Sequence, residues 1–76
     1  MNDQQRQAIL ALIKERLATD PNFHLSQLTP YLWENGFPPE IRQGVNAKLW
    51  LLANFPELGI RFENGKEFIQ LEGATK

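Results

Sequence analysis

With 76 residues the chain is long enough for one small domain and too short for a second core. Its 42% hydrophobic and 22% charged residues suit a folded domain rather than a disordered segment, and no apolar run approaches the ~20 residues a membrane-spanning helix needs. Net charge is −1, from eight basic and nine acidic residues, so phosphate could be bound only if the few cations were gathered on one face. There is no cysteine, which removes disulfides and thiolate metal sites. The N-terminal Met-Asn-Asp-Gln-Gln-Arg has no apolar segment behind a basic start, and the cytoplasm is the expected compartment.

In chain order, Asn2 followed by Gln5 has capping-box spacing and opens a first helix. Ile9, Leu10, Ile13 and Leu17 form its apolar stripe, and Pro21 forces an end near Ala18 or Thr19. Phe23-His24-Leu25 reads as a short extended segment, with the potential to be a third strand. Ser26 is placed to cap a second helix, or Thr29 with Pro30 in first helical position. Leu25, Leu28 and Leu32 share one face of it; Trp33 is expected at the core edge. Gly36 supplies a left-handed stop.

Phe37-Pro38-Pro39 is a stiff turn, and Pro39-Glu40 favours a third helix. If that helix runs unbroken, Ile41, Val45, Leu52 and Phe55 share its buried face, and Gln43, Asn46, Ala47, Trp50 and Asn54 lie opposite. A mid-helix glycine costs about 1 kcal/mol relative to alanine, so Gly44 alternatively divides a short turn from the main helix. Beyond Pro56 come two alternating segments around Asn64-Gly65. A two-residue type I′ loop pairs Ile60 with Ile69, Arg61 with Phe68 and Phe62 with Glu67, which puts Ile60, Phe62, Ile69 and Leu71 on one face. The expected core takes one residue from each element: Ile13, Leu28, Val45, Leu52 and Ile69.

Three or four helices closed by a C-terminal β-hairpin is the element order of an α+β winged helix-turn-helix, a fold that presents one helix and its wing to a partner. It would form one domain over residues 1–76, ordered from about residue 3 to residue 72, with Gly73–Lys76 as a frayed tail. Catalysis has little to work with. The single histidine, His24, has no acidic residue near it in sequence and reads as a structural residue at a strand edge. The carboxylates are scattered, and there is no phosphate-binding loop or metal-ligand spacing. We expect no enzyme, no cofactor, no metal and no small-molecule substrate.

The segments Leu25-Ser26-Gln27-Leu28, Tyr31-Leu32 and Gly36-Phe37-Pro38-Pro39, followed by Gly44-Val45, Leu51-Leu52, Phe55-Pro56 and the hairpin, resemble a LOTUS (OST-HTH) domain from about Ile9 to Leu71. The resemblance implies a small winged helix serving as an RNA-binding or protein-docking module, of a kind found beside ribonuclease-like domains or in contact with RNA helicases. The chain departs from the pattern at Gln43, where an aromatic residue is usual, at Lys48, and at Asn46 and Ala47, where basic residues are common.

The leading expectation is a nucleic-acid-binding module, RNA before DNA. Arg42, Asn46, Arg61 and Lys66 would contact phosphate or sugar, and Gln43, Trp50 and Phe68 would stack on or read unpaired bases. The alternative is a protein-interaction module docking a partner through the same helix, with Trp50 either packed inside or exposed as an anchor. A small DNA-binding regulator comes third, since no basic major-groove helix or dimerisation helix is visible.

Overall fold

The computed structural model describes residues 1–72, so the tail expected at Gly73–Lys76 lies outside the described residues. Three helices, α1 (Asp3–Thr19), α2 (Leu28–Glu34) and α3 (Ala47–Asn54), precede an antiparallel hairpin of β1 (Leu58–Glu63) and β2 (Lys66–Leu71). Short 3-10 turns at Leu25–Gln27 and Pro39–Arg42 lead into α2 and toward α3.

Local chemistry accounts for most boundaries. Asn2 and Gln5 form the expected reciprocal capping box on α1, and the helix ends at Thr19, just ahead of Pro21. After α2, Gly36 takes φ +93, and the N–H groups of Gly36 and Phe37 bond the carbonyls of Trp33 and Leu32. That pair of bonds is a Schellman closure, which satisfies carbonyls the helix end would leave open. At the hairpin, Asn64 and Gly65 both have positive φ, as a type I′ turn requires. The resulting register pairs Ile60 with Ile69, Arg61 with Phe68 and Phe62 with Glu67, as the loop chemistry predicts.

The core is built from Ile9, Leu10 and Ile13 of α1, Leu28 and Leu32 of α2, Trp50 and Leu51 of α3, and Phe23, Phe55, Leu58 and Ile69 around them. Tyr31 ties α2 to α1, its hydroxyl donating to the Leu12 carbonyl at 2.9 Å. The extended residues before α2 join the sheet at one point only: His24 bridges to Phe68, and the Ile69 N–H bonds the Phe23 carbonyl at 2.9 Å.

Three expectations are corrected. Ser26 does not cap α2. His24 caps the preceding turn instead, its Nδ1 accepting from the Ser26 N–H, and Gln27 returns a bond to the His24 N–H. The unbroken third helix does not form, and the divided alternative does. Gln43 at φ 50 and Gly44 at φ 81 leave helical geometry, and Asn46 starts α3 afresh with its side chain accepting from the Lys48 N–H. That restart shifts the helical phase, so Trp50 and Leu51 face inward while Val45 and Leu52 face solvent. Trp33 is 64% exposed rather than at the core edge, because a helix residue one step past buried Leu32 is turned by roughly 100°. Phe62 lies on the face of Ile69 as the register requires, and is 71% exposed because burial falls off along β1 toward the turn.

Candidate functional site

The residues singled out in the sequence fall into three places around α3 and the hairpin. Arg42, Gln43 and Trp50 line a shallow cleft of about 210 Å³ together with Ile41, Val45 and Asn54. Val45 precedes the capping residue and Trp50 follows it by four, the spacing at which two apolar side chains brace a helix start. Trp50 is only 5% exposed and packs edge-on against Phe55 at 5.5 Å. It belongs to the core and cannot stack on a base, which corrects that assignment and fulfils the packing alternative. Gln43 is exposed on the left-handed turn, and Arg42 donates to the Val45 carbonyl at 3.3 Å.

Asn46 and Lys66 line a second cleft, of about 310 Å³, which α3 shares with the turn before α2 and the hairpin tip. His24, Ser26 and Glu67 complete its polar lining, and Lys48 forms an ion pair with Glu67 across it. Asn46 is occupied as the helix cap. Lys66 is exposed and has no ion pair among the described residues.

Arg61 and Phe68 are cross-strand neighbours, but each is engaged by the protein itself. The Arg61 guanidinium lies over the Phe68 ring at 4.9 Å, donates to Asn22 Oδ1 at 3.1 Å, and has its Nε 3.2 Å from Glu63. The other side of the surroundings is His24, whose ring meets Phe68 edge-on at 5.4 Å. A base stacking on the face of Phe68 that Arg61 covers would have to displace Arg61 first.

Four of the cations are taken up by carboxylates, while Arg42 and Lys66 near the start of α3 have no ion pair among the described residues. Arg6 pairs with Glu57, Arg16 with Asp20, Lys48 with Glu67 and Arg61 with Glu63. What α3 does offer is apolar. Val45 is 45% exposed, Leu49 64% and Leu52 41%, at the head of the helix and on its next two turns. Reasoning from sequence missed Leu49 because it assumed the wrong helical phase; the signal that would have found it is Asn46, a stronger helix start than Pro39 once Gly44 breaks the run. It also missed His24 as a cap, although His24 and Gln27 repeat the spacing recognised at Asn2 and Gln5. Among the described residues no group of three or more His, Cys, Asp or Glu could hold a metal ion, and no helix is long and apolar enough to cross a membrane.

No family model matches the chain, and searches of the curated proteins and of the solved structures find no match.

Proposed function

We propose that this chain is a non-enzymatic winged-helix module that docks a protein partner through the exposed side of α3. The observation that carries the proposal is the row Val45, Leu49 and Leu52, which leaves apolar side chains in water on the helix that a winged helix presents. An RNA-reading helix would instead show cations and stacking groups there. In this chain the aromatic candidate Trp50 is buried, and Lys48 is paired with Glu67. Exposed apolar groups gathered on one element favour protein contact over phosphate contact. The resemblance to LOTUS domains implies RNA binding or protein docking and is compatible with this choice.

A photo-reactive phenylalanine analogue placed at position 49, and separately at position 66, tests this in living cells. Position 49 should give a discrete protein adduct that disappears when Leu52→Glu is added, while position 66 gives no RNA adduct. RNA adducts at position 66 that survive Leu52→Glu and vanish with Lys48→Ala would overturn docking and move the function to the larger cleft.

A further inference from the structure

We infer that the partner segment on α3 is an amphipathic α-helix whose acidic residues are gathered at the end meeting Arg42, Asn46 and Lys66, an inference that rests on the docking reading above. The backbone argument comes first. The N–H groups of Trp50 and Phe55 bond the Asn46 and Leu51 carbonyls, and Asn46 caps the start, so beyond its first turn the exposed side of α3 offers side chains alone. An extended segment laid across Leu49 and Leu52 would bring its own N–H and C=O groups against apolar carbon with nothing to bond. Burying them so is costly. A helix arrives with those bonds already made, and its side-chain ridges can seat between Leu49 and Leu52, which are neighbours at the i, i+3 spacing.

Charge fixes the polarity of that helix. No acidic residue occurs between Glu40 and Glu57, whereas Arg42 and Lys48 both do, in a chain whose net charge is −1. Lys48 is taken up by Glu67, but Arg42 and Lys66, neither ion-paired among the described residues, stand around the start of α3, where the positive end of the helix dipole adds to them. Arg42 gives one N–H to the Val45 carbonyl, and its other N–H groups meet no acceptor among the described residues. Toward the C-terminal end of α3 the exposed residues are Leu52 and Ala53. A carboxylate cluster therefore fits at one end and apolar side chains at the other. Nucleic acid would match the charge but leave Leu49 and Leu52 uncovered.

The test is a selection of random displayed peptides about four helical turns long on the folded chain, followed by titration of synthesised winners. The expected winners carry apolar residues at i, i+3 or i+4 and i+7 with acids at one end, and gain helical circular dichroism on binding. Leu49→Glu should weaken them by at least about tenfold without lowering the melting temperature, because that side chain is exposed. Lys66→Glu should weaken them several-fold, and replacing the peptide's acids by lysine should restore binding to that variant. Winners that stay extended, or that ignore Lys66→Glu, yet still depend on Leu49, would overturn the acidic helix and leave docking standing. If no winner depends on Leu49, both fall.

Discussion

Arg6 and Glu57 lie 51 positions apart and are joined by two hydrogen bonds, of 2.6 and 2.7 Å, from one guanidinium nitrogen to both carboxylate oxygens. Arg6 also donates from Nε to the Asn54 carbonyl at 2.8 Å, and its guanidinium lies 5.5 Å from the Phe55 ring centre. One side chain on α1 thus holds the end of α3 and the turn into β1. This clamp fixes the helix that carries the proposed docking surface against the rest of the domain.

The clamp gives a pH dependence. The side-chain hydrogen bonds from Arg6 come first in holding the Glu57 carboxyl below the usual carboxylate range. A group whose folded pKa lies below its unfolded one adds stability that is fully present above the unfolded value and is lost as pH falls through the folded value. Melting temperatures measured from about pH 6 to about pH 3 should therefore fall more steeply for the native protein than for Glu57→Gln. Parallel curves would show that the pair adds nothing to stability.

The helical phase of α3 is open to a direct comparison of neighbours. Leu51 is fully buried and Leu52 is 41% exposed. Leu51→Ala should cost about 2–5 kcal/mol in denaturant unfolding, and Leu52→Ala about 0.5 kcal/mol or less. Equal losses would mean that α3 is rotated from the position described.

The two tryptophans report the same phase optically. Trp33 is 64% exposed and Trp50 is 5% exposed. In Trp33→Phe the remaining emission should be blue-shifted and resist iodide quenching; in Trp50→Phe it should be red-shifted and quenched readily. The opposite pattern would return Trp50 to the surface and restore it as a stacking or anchoring residue.

Phe68 is predicted to act in stability. Its ring has the Arg61 guanidinium on one side and the His24 ring at its edge. Phe68→Ala should lower stability by about 1–3 kcal/mol and leave any RNA affinity unchanged. Affinity that drops while the melting temperature holds would put Phe68 back on a nucleic-acid surface.

Much of the fold was legible because it rests on short-range chemistry. The Asn2 and Gln5 box, the Gly36 stop, and the Asn64-Gly65 turn with its register each depend on residues within a few positions of one another, and each formed as the local pattern requires. The same holds for Ile9, Ile13, Leu28 and Ile69, whose elements admitted one phase only. The candidate site was less legible. Whether α3 began at Pro39 or Asn46 decided which of Trp50 and Leu52 faced water; the Asn46 cap favoured the later start, and packing of Trp50 against Phe55 shows which face is buried. Charge behaved likewise. Nothing local in the sequence pairs Arg6 with Glu57, Lys48 with Glu67 or Arg61 with Asn22; only the tertiary fold brings them together. Periodicity and turn chemistry are properties of a segment, and the sequence determined them; exposure and ion pairing are properties of what lies across the core, and only the tertiary structure decided those.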